Sequence, residues 1–182
     1  DFSFVDFTND FLRTMEGPIT KALRSMHELE AGAISNPDEN RMVGHYWLRD
    51  PDLAPSAELS GAIKETLNKV KYIANQVHSK TLQSPQGPFT DLLVIGIGGS
   101  ALGPQFVGKA LGHPQNDKLK VHFFDNTDPD GIDLTLSEIG DSLSTTLVLV
   151  ISKSGGTPET RNGMLEAEHA FSSRGLDFSK QA

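Results

Sequence analysis

The second half of the chain alternates short apolar runs with longer segments of helical length. The apolar runs lack the polar–apolar alternation of a half-exposed strand, so they predict strands buried on both faces. They occupy residues 92–97, 121–124 and 147–151. Helix-length segments separate them at residues 101–112 and 132–143, and a further helix is expected after Thr157. This order of strands and helices predicts a three-layer α/β fold, in which helices cover both faces of a parallel sheet.

The first half has a helical pattern instead. Residues 1–33 are expected to be helical, with Pro18 at a first helical position and apolar residues at helical spacing after it. Residues 57–79 form a second, clearly amphipathic helix. The sequence SPQGP at residues 84–88 then breaks the pattern. We therefore divide the chain into an N-terminal helical extension, residues 1–88, and an α/β domain, residues 89–182.

Composition narrows the classes of function. The 182 residues carry a formal net charge of −8, which argues against a nucleic-acid or anionic-membrane partner. Cysteine is absent, so the sequence offers no disulfide, no cysteine-based metal site and no cysteine nucleophile. The longest apolar runs are about six residues, far below the ~20 that span a bilayer. The first ten residues also lack the pattern of a signal peptide.

The sequence GIGGSALGP, residues 96–104, links the first predicted strand to a helix. Its four glycines let the backbone approach a ligand closely. It fits the G-x-G-x-x-A pattern of a dinucleotide-binding turn, and Asp125 lies roughly where a ribose-binding acid would be expected. This turn alone leaves two ligands open: the pyrophosphate of a dinucleotide, or the phosphate and hydroxyls of a sugar.

A second polar loop, SKSGGTPET at residues 152–160, follows the third predicted strand. Ser152, Ser154 and Thr157 supply hydroxyls, Lys153 supplies positive charge, and two glycines allow backbone N–H groups to converge. Thr157 is a good N-cap and is followed by a proline that suits the first helical position. The loop thus runs into a helix N-terminus, where free N–H groups and the helix dipole favour an anion. A phosphate monoester is the expected ligand, and this loop favours the sugar phosphate over the dinucleotide.

Together the two glycine-containing sequences resemble those of the glucose-6-phosphate isomerase family. Asp125-Asn126-Thr127-Asp128 is similar to the family's S-N-x-D segment, and NRMVGHYWLR at residues 40–49 is similar to its N-x-x-R-x-x-x-H-x-x-L-R region. The sequence NPDENRMVGHYWLRDPDLAP resembles the plastid and cyanobacterial branch more than the animal enzymes. Ser154 replaces a threonine of many members, and glycines at 155 and 156 replace their threonine-rich positions, but a hydroxyl remains at 154.

The resemblance implies a sugar-isomerase (SIS) domain of flavodoxin-like type. It implies interconversion of glucose 6-phosphate and fructose 6-phosphate through ring opening and an enediolate, with no cofactor and no metal. The implied substrate-binding residues are Gly99, Ser100, Ser152, Lys153, Ser154 and Thr157. Glu159 would orient the histidine that opens the ring, and this histidine and the catalytic base would lie beyond Ala182.

Family members run to several hundred residues with two SIS domains and form dimers that share active sites. The chain is therefore expected to be an N-terminal fragment, close to inactive alone and part of a homodimer when whole. The implied compartment is the cytoplasm, or the plastid stroma in a plant. Two other functions stay open here: a non-catalytic sugar-phosphate-binding SIS module, and a Rossmann domain that binds NAD.

Several further polar residues have both a structural and a functional interpretation. His45 either packs structurally, which we favour, or lines the pocket, while Arg41 and Arg49 are expected in ion pairs. Asp125 and Asp128 could form an acid–base pair, but capping of the loop after the second strand is the favoured interpretation. Trp47 and Tyr46 are expected in the core.

Overall fold

The computed structural model describes residues 6–182, which group into two compact units, with the boundary along the chain between Lys71 and Tyr72. The first unit begins with α1 (Asn9–Glu30) and a small antiparallel pair, β1 (Ile34–Asn36) and β2 (Arg41–Met42). Two short 3-10 helices, His45–Leu48 and Pro51–Leu53, precede α2 (Ala57–His78), which extends into the second unit. The predicted helix over residues 57–79 is confirmed.

The start of α1 differs from the expectation for Pro18. Thr8 is the N-cap, and its hydroxyl accepts a hydrogen bond from the N–H of Phe11 at 3.2 Å. Pro18 therefore lies inside the helix, where it removes one backbone donor but does not end the element. A good cap far upstream outweighed the local signal of the proline. Residues 1–5 of the predicted helical stretch lie outside the described residues.

Trp47 forms the centre of the first unit, as expected. Its ring is buried, and its Nε1 donates to the carbonyl oxygen of Glu30 at 3.1 Å, which joins the end of α1 to the 3-10 helix. Tyr46 is only partly buried, and His45 is exposed and stacks against its ring at 4.0 Å between centroids. The favoured interpretation of His45 as a packed histidine was wrong, because the apolar interior of this segment is occupied by the indole.

The second unit contains a parallel sheet of three strands: β3 (Asp91–Ile95), β4 (Lys120–Phe124) and β5 (Thr146–Val150), in the order β4-β3-β5. The connections are α3 (Gly99–Leu111) and α4 (Pro129–Ile139), the latter extended by a 3-10 helix, Gly140–Thr145. After β5 come α5 (Pro158–Ser173) and a final 3-10 helix, Phe178–Lys180. The predicted α/β fold, with a parallel sheet flanked by helices, is confirmed.

The order of the strands explains why helices flank the sheet. The chain goes from the central strand to one edge through α3, and then crosses to the other edge through α4. Right-handed crossovers in opposite directions place α3 and α4 on opposite faces. The core lies on the face of α4 and α5, and its buried members are Leu93, Ile95, Phe124, Ile132, Ile139, Leu143, Val148, Ala167 and Phe171.

Burial on both faces is found only for the central strand. β3 is almost entirely buried, whereas Val121 on β4 and Leu149 on β5 are about 42% exposed. Edge strands have one neighbouring strand instead of two, and the main contacts of α3 are with β3 and β4. The apolar runs predicted the strands correctly, but in the described residues one face of each edge strand is left partly open.

Candidate functional site

The loops with the predicted binding residues all leave the same edge of the sheet. Ile95 at the end of β3 is in register with Phe124 of β4 and Val150 of β5. The three following loops, at residues 96–98, 125–128 and 151–157, therefore begin at one level, at the carboxyl ends of the strands. Ligands of parallel α/β sheets bind at this edge.

The glycine turn after β3 is tightly packed at its base and open at its top. The N–H of Gly96 donates to the carbonyl oxygen of Phe124 at 3.1 Å. A Cβ at Gly96 would lie 2.9 Å from Cβ of Ser100 and 3.1 Å from the carbonyl oxygen of Ile151, so only glycine fits between the turn and the loop after β5. Gly98 has a φ of 55°, in the left-handed region that favours glycine.

The open part of this turn contains the predicted sugar-facing residues. Gly98 and Gly99 are exposed, and a Cβ on either would meet nothing within 4 Å. α3 begins at Gly99, so its N-terminus points into this space. Ser100 is half-buried, and its N–H donates to the carbonyl oxygen of Ile97 at 3.2 Å. The geometry allows a ligand to approach the backbone of Gly99 without steric hindrance.

The three hydroxyls of the loop after β5 converge. Thr157 Oγ1 lies 3.1 Å from Ser152 Oγ and 3.4 Å from Ser154 Oγ. The N–H of Gly155 donates to Ser152 Oγ at 3.1 Å, and the N–H of Gly156 donates to Ser154 Oγ at 3.2 Å. Gly155 has a φ of 71°, which lets the loop fold back on itself. Hydroxyls and N–H groups are thus collected in one small region.

Thr157 occupies the N-cap position of α5 and Pro158 the first helical position, as predicted. The Thr157 side chain, however, makes no capping hydrogen bond within the described residues; its hydroxyl bonds to the two serines instead. The first turn of α5 therefore lacks the side-chain oxygen that usually accepts from its free N–H groups. Such a helix end is suited to accept an external anion.

Charge supports the same conclusion. Lys153 is exposed in this loop, and it is the only lysine or arginine in the sequence between residues 121 and 160. Glu159 is half-buried in the first turn of α5, close in sequence to the hydroxyls. An anion at this helix end would thus gain from the lysine charge as well as from the helix dipole.

The loop after β4 has a structural role. Asp128 accepts from the N–H of Gly131 at 3.2 Å and caps α4, as the favoured interpretation expected. Asp125 does not cap a helix: its Oδ2 accepts from Gln105 Nε2 at 2.6 Å, and its Oδ1 accepts from Asn126 Nδ2 at 3.1 Å. Gln105 could not be predicted from the sequence, since a glutamine on a helix gives no signal of a partner twenty residues away.

The two arginines that were expected in ion pairs differ. Arg41 Nε lies 3.7 Å from Glu39 Oε2, and both side chains are partly exposed. For Arg49, the described residues contain no ion pair within 4.0 Å. The expectation is therefore confirmed for Arg41 and wrong for Arg49, which lies on the exposed side of its segment.

Two cavities lie beside the loop after β4. One of about 410 Å³ lies between α4 and α5 and is lined by Ile132, Leu165 and polar neighbours; another of about 210 Å³ lies beside Asp125 and Thr135. Neither is lined by the loop at 151–157. Among residues 6–182, no group of three or more His, Asp and Glu side chains could hold a metal ion. No helix in this range has the length and apolar character needed to cross a membrane.

Comparison with known proteins defines the class to which this fold and these loops belong. A model of the phosphoglucose isomerase family matches residues 6–180. The chain belongs to the phosphoglucose isomerase family.

Relatives and solved structures agree with this assignment. The chain is 58% identical to the glucose-6-phosphate isomerases of Synechococcus elongatus and of Geobacter sp. strain M21, in each case over the whole chain and 34% of the relative. It also resembles the crystal structure of a glucose-6-phosphate isomerase from Chlamydia trachomatis, with a TM-score of 0.77 and 26% identity over 96% of this chain and 34% of that one.

The chain thus spans about a third of the length of these relatives. The equal identity to a cyanobacterial and a Geobacter protein shows that the likeness extends beyond the plastid and cyanobacterial branch.

Proposed function

We propose that this chain provides the substrate-phosphate site of a glucose-6-phosphate isomerase, which interconverts glucose 6-phosphate and fructose 6-phosphate. The observation that supports this most is the convergence of three hydroxyls at the uncapped N-terminus of α5. The relatives' names supply the substrate, and the family assignment supplies the class of reaction. The relatives with this name are about three times as long as this chain.

In this proposal the phosphate lies at the loop after β5. Ser152, Ser154 and Thr157 exchange their mutual hydrogen bonds for bonds to phosphate oxygens, and Lys153 adds charge. A hydrogen bond to a charged group is stronger than one between neutral hydroxyls, so this exchange favours binding. Because both serine hydroxyls already lie within 3.4 Å of the Thr157 hydroxyl, little conformational entropy is lost when they bind.

The sugar would then extend toward the glycine turn, where Gly99 and Ser100 can reach its hydroxyls. Fixing the substrate at both ends orients the carbons between which the proton moves, which lowers the barrier through positioning. The reaction opens the ring and passes a proton between C2 and C1 through an enediolate, with a carboxylate as the base. We assign that base and the ring-opening histidine to parts of the protein outside this chain. Glu159 would orient this histidine, and a homodimer would complete the site.

Thr157→Val tests the phosphate site directly. The valine keeps the shape of threonine but removes the hydroxyl that contacts both serines. Loss of one hydrogen bond to a charged oxygen costs about 1.5–3 kcal/mol, so the dissociation constant for phosphate is expected to rise by about 10- to 100-fold. Calorimetric titration of this chain with inorganic phosphate and with glucose 6-phosphate measures the change.

Thr157→Ser is the matched control, because it keeps the hydroxyl, and it should bind phosphate like the unaltered chain. NAD serves as the control ligand. Affinity for NAD that Thr157→Val leaves unchanged, with no affinity for glucose 6-phosphate, would replace the proposed function by a dinucleotide-binding one.

A further inference from the structure

Helix α3, which presents the glycine turn, has little apolar contact with the sheet beneath it. Ala101 is its only buried residue. Its large apolar side chains are exposed, with Phe106 at 74% and Leu111 at 80%. At its N-terminus, Gly98 provides no side-chain cap. Apolar burial alone therefore does little to fix where the N-terminus of α3 lies.

A polar contact makes up for this weak packing. Gln105 Nε2, one turn past Ala101, donates to Asp125 Oδ2 at 2.6 Å in a partly buried position. Asp125 directly follows β4, where Phe124 pairs with Ile95 in the sheet. Its second oxygen accepts from Asn126 Nδ2, so the orientation of the carboxylate is set from both sides. A hydrogen bond to a carboxylate is among the stronger polar contacts in a protein.

This contact lies at the end of the site that is assigned to the sugar, not at the end that is assigned to the phosphate. Gln105 lies six residues after Gly99 on the same helix, and Asp125 starts the loop beside the glycine turn. The hydroxyls of the phosphate loop after β5 are held by hydrogen bonds within that loop, to one another and to the N–H groups of Gly155 and Gly156. A disturbance of the contact would thus move the N-terminus of α3 and leave the three hydroxyls in place.

We propose that Gln105 and Asp125 are positioning residues, whose hydrogen bond fixes the N-terminus of α3 at the sugar-binding end of the site. This inference rests on the proposed function, since it assumes that a sugar phosphate spans the two loops. It assigns to the pair a role in orienting the sugar and none in phosphate affinity.

A double-mutant cycle with isosteric changes tests the pair. Gln105→Glu places two carboxylates side by side and breaks the contact. Asp125→Asn, added to it, restores a hydrogen bond of opposite polarity, because the new amide can donate to the new carboxylate. The double variant also has the same net charge as the unaltered chain, and Asp125→Asn alone reports the effect of the charge. Gln115→Ala, at an exposed glutamine outside α3, is the control for a change without this contact.

Two measurements are made on each variant of this chain at about 0.15 M salt, where distant charges are largely screened. The first is hydrogen exchange of the amides of Ala101 and Leu102, with amides of α5 as the reference. The second is the ratio of the dissociation constants for glucose 6-phosphate and inorganic phosphate. We expect Gln105→Glu to raise the α3 exchange rates and this ratio about tenfold each, equivalent to about 1.4 kcal/mol, and the double variant to reverse both changes.

Each other outcome has a definite meaning. Unchanged exchange in α3, or a double variant that behaves like Gln105→Glu, would overturn the positioning role. If Gln105→Glu lowers the affinity for both ligands equally, the assignment of the turn to the sugar is wrong. The same holds if the unaltered chain binds inorganic phosphate but not glucose 6-phosphate. An unaltered chain that binds neither ligand would refute the proposed function itself, and this inference with it.

Discussion

Gly163, in the second turn of α5, packs closely against the sheet. A Cβ at this position would lie 2.9 Å from Cγ2 of Ile95 and 3.7 Å from Cβ of Phe124. Both residues are almost fully buried, and a β-branched side chain in a strand has little freedom to move aside. The phosphate loop directly precedes the N-terminus of α5, so this contact also determines how far that loop lies from the strands. Gly163→Ala is therefore the most direct test of the packing.

The expected loss of stability follows from two opposing terms. Forcing a methyl group into a packed core costs about 2 kcal/mol. Alanine is a better helix former than glycine and loses less entropy on folding, which returns about 1 kcal/mol. The free energy of unfolding of the second unit should therefore fall by about 1 kcal/mol.

Gly108→Ala is the matched control in α3. A Cβ at Gly108 would meet nothing within 4 Å, so only the favourable term remains and stability should rise by about 0.5–1 kcal/mol. The two substitutions are chemically identical but should change the free energy of unfolding in opposite directions. The difference between them depends only on the space that the fold leaves at each position.

Native-state hydrogen exchange of the β3 amides measures the free energy of unfolding of the second unit alone. This method is needed because the single tryptophan, Trp47, lies in the first unit and its fluorescence reports on that unit. If Gly163→Ala leaves the β3 amides as protected as in the unaltered chain, or better protected, then α5 does not pack on Ile95 as described. The position of the phosphate loop relative to the strands would then be wrong as well.

Two further predictions concern the buried polar pair and catalysis. His122 Nε2 lies 2.8 Å from Asp91 Oδ1 with both side chains buried, so Asp91→Ala should cost about 3 kcal/mol because it leaves a buried imidazole without its partner. Asp91→Asn keeps an acceptor oxygen and should cost clearly less in the same exchange experiment; equal losses would show that the contact contributes little. The purified 182-residue chain should show no isomerase turnover in a coupled assay, and measurable turnover would place the catalytic base within it.

Much of the site could be predicted from local sequence, because loops that bind anions depend on nearby residues. The hydroxyls of residues 152–157 and the helix that follows lie within one short segment, so their convergence needs no distant partner. The same holds for Asp128, which caps the helix that begins one residue later. The partner of Asp125 was not predictable, because Gln105 reaches it only after α3 has folded across the sheet.

The sequence by itself determined the three strands of the parallel sheet, the long helices and the α/β class, because continuous apolar runs and helical spacing reflect backbone periodicities that each segment carries alone. It also determined the two polar loops, whose glycines and hydroxyls act over a few residues. Only the tertiary structure decided that His45 is exposed and that the edge strands are partly open. It also decided that Gly96 must be a glycine, since the loop after β5 comes within contact distance. These features depend on which segments meet in space, and segments distant in sequence meet only when the whole sheet has formed.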